Sequence, residues 1–194
     1  MNPIQLRPND PPTEAALLQR MAGGDRDAFT VFYRRIERPL FGYLMKLVRE
    51  RELAEDLLNE TLMEVWRQAG RFEGRSAVNT WVFSIAHHRA VSRFRKRRES
   101  ALDEDHAATI ADGAPMPDQR AQSSGMSRLL ARLMDQLTFE HREVLNLAYY
   151  QELSVQEIAD VLNLSPNTVK TRMFYARQRL KTLLAESGVE RAVA

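Results

Sequence analysis

The chain contains no cysteine, which excludes disulfides, thiolate metal sites and cysteine nucleophiles within it and fits a reducing compartment. Histidine is scarce too: His87, His88, His106 and His141 are the full set. The first two are neighbours, so on a helix they diverge, which is poor geometry for a metal. No HExxH, Walker-type loop, GxSxG or cysteine pair is present, and the chain is expected to be neither an enzyme nor a holder of metal or cofactor. Long apolar runs are missing, as is a signal-peptide-like apolar stretch near Met1, so a cytoplasmic protein with no membrane insertion of its own is expected. No alternating pattern is long enough for a sheet, and no internal repeat appears. Charge of one sign is not in excess. The 28 basic and 26 acidic residues leave a net +2, so any strong basic effect must be local.

What is present is helical periodicity in two blocks. Met1 to Pro12 holds four of the eight prolines and reads as a disordered tail, residues 1–12. Thr13 or Glu14 opens a helix that ends at the Gly23-Gly24 break. Asp27 to Ile36 is helical again, and Pro39 is expected in the first turn of a separate helix, LFGYLMKLV. Glu52 to Trp66 and Thr80 to Arg98 are two further helices, with RFEGRSAVN a loop between them. Residues 89–98 then hold six basic residues and no acid, whereas residues 99–118 hold six acids and no Lys or Arg. The second of these segments, with Gly113, Pro115 and Pro117, reads as a linker. The fold class expected is all-α: a helical domain at 13–98, an acidic flexible linker at 99–126, a second helical domain at 127–186 and a tail at 187–194.

The sharpest pattern lies in the second domain, SVQEIADVLNLSPNTVKTRMFYARQRLK from Ser154 to Lys181. Ser154 and Glu157 are spaced as a capping box, and Ile158, Ala159 and Leu162 give the short helix a buried side. Asn163 and Leu164 make the turn. Ser165 can cap the next helix, with Pro166 in its first turn. Val169, Met173, Ala176, Leu180 and Leu183 then form one inward stripe. The opposite face carries Asn167, Thr171, Phe174 and Gln178, flanked by Thr168, Lys170, Tyr175 and Lys181. Between Ser165 and Lys181 there are five basic residues and no acid, which suits a helix-turn-helix reading the major groove.

Two faces of the first domain also ask for partners. The helix from Glu52 buries Leu53, Ala54, Leu57, Leu58, Thr61, Leu62 and Val65 and turns Asp56, Asn59, Glu60 and Met63 outward. Acids there suit a solvated face, but Met63 among them suits a contact surface. On the helix from Thr80, Phe83, Ala86, Ala90 and Phe94 are expected in the core. Trp81, Ser84, Ile85, His88, Ser92 and Arg95 point the other way. Trp81 either packs under the preceding loop or stacks on a base, and the basic run from Arg89 favours nucleic acid.

These segments together resemble an extracytoplasmic-function RNA polymerase sigma factor of the sigma-70 family. GDRDAF (24–29), ELAEDLLNETLMEVW (52–66), FEGRSAVNTWVFSIAHHRAVSRFRKRR (72–98) and the block from Phe139 to Leu184 carry the resemblance in order. It implies that Asp56, Asn59, Glu60 and Met63 dock on core polymerase. It implies minus-ten DNA contacts, including the melted single strand, from Arg75, Asn79, Thr80, Trp81, His88, Arg89, Ser92, Arg95 and Lys96. Duplex minus-thirty-five contacts would come from Ser165, Asn167, Thr168, Lys170, Thr171, Arg172, Phe174, Tyr175 and Arg177. An anti-sigma factor is the further partner implied. The chain departs from the family's common residues at His87-His88, Ser92, Thr138 and Phe174-Tyr175. The competing reading is a stand-alone helix-turn-helix regulator that binds duplex DNA without joining polymerase, a role needing neither the acid-faced helix nor the basic segment.

Overall fold

The computed structural model describes residues 12–103 and 125–187, and among these every regular element is helical. The expected terminal tails and most of the expected linker, at 1–11, 104–124 and 188–194, lie outside the described residues.

α1 (Glu14–Ala22) starts where Thr13 caps it, its hydroxyl accepting from the Ala16 amide. α2 (Arg26–Val48) starts at Asp25, whose carboxylate accepts from the Asp27 and Ala28 amides and from Arg20 at 2.8 Å. The Ala28 amide, then the Arg20 guanidinium, hold that carboxyl below its usual range. The expected break before Pro39 does not occur, and α2 runs through the proline. A proline inside a helix costs about 3 kcal/mol in isolation. Here Ile36, Leu40, Tyr43 and Leu44 are buried on one stripe that spans it, and the burial outweighs the lost hydrogen bond.

α3 (Arg51–Gln68) buries Ala54, Leu57, Leu58, Thr61, Leu62 and Val65, all expected inward. A 3-10 turn at Ala69–Arg71 leads into the glycine-bearing loop, and α4 (Val78–Asp103) follows. α4 extends past Arg98, the expected end of the first domain. α5 (Gly125–Asp135), α6 (Phe139–Tyr149), α7 (Val155–Leu162) and α8 (Pro166–Glu186) make the second half.

The two halves pack on each other. α7 lies along α4, α6 touches α2, and the buried apolar residues form one continuous cluster. The α7–α8 pair is set by the local chemistry its sequence announces. Ser154 and Glu157 make reciprocal capping bonds, Asn163 closes α7 in the left-handed region at φ 52°, and Ser165 accepts from the Thr168 amide at 3.1 Å.

One prediction arises here. The Ser154 hydroxyl, then the Ser154 amide, hold the Glu157 carboxyl below the usual glutamate range. A depressed carboxyl stabilises the fold above its unfolded pKa, and that stabilisation is lost as pH falls through the folded one. Ser154→Ala should therefore cost about 1 kcal/mol in urea unfolding at neutral pH. The difference from wild type should shrink in acid, where Glu157 is protonated in both proteins. A cost that does not change with pH would show that Glu157 contributes nothing to the cap.

Candidate nucleic-acid interface

α8 presents a clear outward face. Val169, Met173, Ala176 and Leu183 are buried, while Asn167, Lys170, Thr171, Phe174, Tyr175 and Arg177 are exposed. Leu180 and Arg172 are half-buried. Ser165 and Thr168 hydroxyls pair with each other at 2.8 Å, so they define the helix start. Arg177 is not a loose cation: its Nε donates to the Tyr149 hydroxyl at 3.0 Å, and its guanidinium lies beside that ring. Tyr149 is 61% exposed and widens the face beyond α8, a contribution the sequence reading missed. The adjacent exposed aromatics at the end of α6, Tyr149 and Tyr150, were the available sign.

The residues expected around the minus-ten element divide among several environments. His88, Arg89 and Ser92 come together with Glu64, Gln68, Ser84 and Ile85 around an open cleft of about 350 Å³ between α3 and α4. His88 is exposed, one ring nitrogen 2.6 Å from the Ser84 carbonyl oxygen. Arg95 and Lys96 are exposed further along α4, and Arg75 is exposed in the loop beside Glu73. Trp81 is half-buried, its ring 5.2 Å from that of Phe72, so it does pack under the preceding loop and still shows part of its surface. Thr80 is turned inward in this conformer. It is 1% exposed and donates to Glu157 of α7 at 3.2 Å. Asn79 is half-buried, and its Oδ1 has no hydrogen-bond partner among the described residues.

The acid face of α3 and the basic face of α4 meet. Arg89 donates to Glu60 at 3.2 Å and to Glu64 at 2.8 Å, and Arg93 lies 3.7 Å from Glu60 and 4.0 Å from Asp56. The Gln68 amide, then Arg89, hold the Glu64 carboxyl below its usual range. Asp56, Asn59 and Met63 are exposed along α3, Met63 at 51%. The sequence reading assigned Asp56 and Glu60 to core polymerase and the basic run from Arg89 to nucleic acid, and the fold makes them neighbours.

The contact between the halves is polar at its centre. Glu143 of α6 is buried and accepts from the Tyr43 hydroxyl of α2 at 3.1 Å, with His87 Nδ1 of α4 at 2.7 Å. Burial, then the Glu143 carboxylate, push the Tyr43 phenol well above its usual pKa. Nearby, Lys46 Nζ sits 2.8 Å from the centroid of the Tyr150 ring, and Arg49 donates to the Asp135 carbonyl at 3.0 Å. None of these pairs was anticipated from the sequence.

Two family models match the chain: Sigma-70 region 2 over residues 32–100 and Sigma-70 region 4 over residues 127–180. Among curated relatives, ECF RNA polymerase sigma factor SigK of Mycobacterium ulcerans is 32% identical over 182 residues, covering 89% of this chain and 94% of that protein. RNA polymerase sigma factor YlaC of Bacillus subtilis is 30% identical, covering 87% of this chain and 98% of that protein. Among solved structures, the sigma factor RpoE of Bartonella quintana, in complex with the anti-sigma factor NepR, matches with a TM-score of 0.71 at 27% identity, over 81% of this chain and 96% of that one. That coverage exceeds either helical half, so the match runs through both. The region 2 match sets aside the stand-alone regulator, whose only requirement is the helix-turn-helix.

Proposed function

The chain belongs to the extracytoplasmic-function group of the sigma-70 family, and from that premise we propose how its two halves divide the work of a transcription initiation factor. It joins core RNA polymerase and directs it to promoters. The first half, residues 13–98, docks on core through Asp56, Asn59, Glu60 and Met63 of α3. It holds the minus-ten strand along α4 through Trp81, His88, Arg89, Ser92, Arg95 and Lys96, with Arg75 and Asn79 on the loop side. The second half, residues 127–186, reads the minus-thirty-five duplex through α8. Asn167, Lys170 and Thr171 reach base edges there, and Arg172 and Arg177 hold phosphates at its flanks. The chemistry of nucleotide addition belongs to the polymerase, and the place of action is the cytoplasm, where that polymerase and its template are.

The observation that carries this reading is the outward face of α8, capped at Ser165 and free of acid from Ser165 to Lys181. Geometry adds a requirement. Elements centred 25 base pairs apart lie about 85 Å apart at ~3.4 Å per pair. In the described conformer Thr80 and Glu157 touch, so promoter engagement needs the halves to part. The closed form instead suits storage with an anti-sigma partner, and RpoE in the matching structure is in complex with the anti-sigma factor NepR.

The purified chain should convert core bacterial polymerase into an enzyme that initiates at defined start sites. Thr171→Ala should change promoter preference, while Arg177→Ala should weaken all promoters alike, because lost base contacts cost ~1–3 kcal/mol at one position and lost phosphate contacts act uniformly. Transcription from a random genomic library with start-site mapping reads both. Failure of the wild-type chain to support any defined start would sink the proposed function.

A further inference from the structure

We propose that Phe174 reads the 5-methyl group of a thymine in the upstream promoter element, with the Tyr175 ring holding it in place. The proposal rests on the assignment of α8 as the duplex reader. Phe174 is 55% exposed and Tyr175 57%, and they are the large apolar side chains exposed on α8 among the described residues. Every other exposed position on the outward face is polar: Asn167, Lys170, Thr171, Arg177, Gln178 and Lys181. Phe174 stands in one row with Asn167, Thr171 and Gln178, at i+7 where these are i, i+4 and i+11, on the side away from buried Val169, Ala176 and Leu183. It is therefore at the centre of the reading face and not at its rim.

The ring contributes little to the fold of this half. It meets Tyr175 edge-on, centroids 5.4 Å apart with the planes at 77°, and lies outside the buried cluster. A single exposed apolar residue needs no explanation, but a paired aromatic in the middle of a hydrogen-bonding row faces a ligand with one apolar feature in it. The major groove offers only one such feature. Guanine, cytosine and adenine present donors and acceptors, and thymine alone adds a C5 methyl. A phenyl ring has no donor or acceptor, so it cannot read the polar edges and can gain from the methyl.

The test uses holoenzyme assembled from the full chain and core polymerase, offered duplexes whose upstream element is randomised. One library is made with thymidine and a second with deoxyuridine, which differs by the methyl alone. Wild type should enrich thymine at one position in the first library and lose that preference in the second, with about a fourfold weaker affinity for the resynthesised uracil duplex, the effect of one methyl-sized apolar group. Phe174→Ala should bind the two duplexes alike, and Phe174→Leu should keep part of the difference. The proposal is overturned if wild type selects the same motif with the same affinity in both libraries, or if Phe174→Ala keeps the methyl dependence. If Phe174→Ala instead loses affinity for core polymerase, with the methyl dependence intact, Phe174 faces a protein and the proposal falls. If no position is enriched in either library, the duplex-reading assignment of α8 fails, a result distinct from a motif that survives without its methyl.

Discussion

Glu143→Ala should shift the chain from the closed to the open arrangement by roughly 5- to 150-fold. The carboxylate is the shared acceptor for Tyr43 and His87, two groups from two helices of the other half. Removing it leaves a buried hydroxyl and a ring nitrogen without their partner, and an orphaned buried polar group costs ~1–3 kcal/mol. α6 also buries Arg142 and Asn146, each with a polar atom that lacks a partner among the described residues. The absence of cysteine makes the measurement clean, because Thr30→Cys on α2 and Thr182→Cys on α8 can be labelled as a specific donor–acceptor pair. Energy transfer should fall in Glu143→Ala and less so in Glu143→Gln. Equal transfer in all three proteins would show that Glu143 does not hold the halves together. Core binding should also become faster in the alanine variant, because no closed pool has to open first.

Lys46 adds a pH dependence to the same contact. Burial pulls its pKa down to about 8 under the Tyr150 ring. The closed form therefore releases its proton near pH 8 while an open, solvated lysine keeps it to about 10.4. The closed form binds fewer protons between those values, so closure strengthens as pH rises through that window. Energy transfer in wild type should increase from pH 7 to pH 9.5 and stay flat in Lys46→Met.

The parts of the molecule that were legible in the sequence are those whose causes are local. Ser154, Glu157, Asn163, Ser165 and Pro166 specify two helix starts and one turn within thirteen residues, and the structure has them as read. The apolar stripe of α3 was legible for the same reason. Pro39 misled because a local rule met a buried stripe extending to both sides of it. Phe94, expected in the core, is only half-buried, its ring 6.2 Å from Phe139 of the second half. The Glu143 contact had no sign at all. Its partners lie 100 and 56 positions away, and a tyrosine, a histidine and a glutamate on three helices match no pattern. The pairing of Arg89 and Arg93 with Glu60, Glu64 and Asp56 was hidden likewise, since each helix was read by itself and each face looked unpartnered.

That pairing shapes the last prediction. Asp56→Arg with Glu60→Arg should weaken core binding by at least about 30-fold, since reversing two interfacial charges loses their partners and adds repulsion worth about 2 kcal/mol or more. The same change removes the contacts of Arg89 and Arg93, but these pairs are a third to two-thirds exposed and are worth ~0–1 kcal/mol each. Helicity and unfolding midpoint should therefore stay near wild type, which separates lost docking from lost folding. Arg89→Ala with Arg93→Ala breaks the same pairs from the other side. If α3 docks on core and α4 holds the strand, that variant should bind core normally and fail at promoter opening, seen as reduced permanganate reactivity of thymines in the melted region. Competition against a reference sigma factor for core polymerase gives the affinities. Equal core binding by the Asp56, Glu60 double variant and wild type would remove the docking role from this face, and an equal defect in both double variants would mean that the ion pairs matter as a structural unit. The separation expected between them follows from geometry: Asp56, Asn59 and Met63 face outward from α3, while Arg89 and Arg93 reach that face from α4, and Arg89 also lines the cleft with His88 and Ser92.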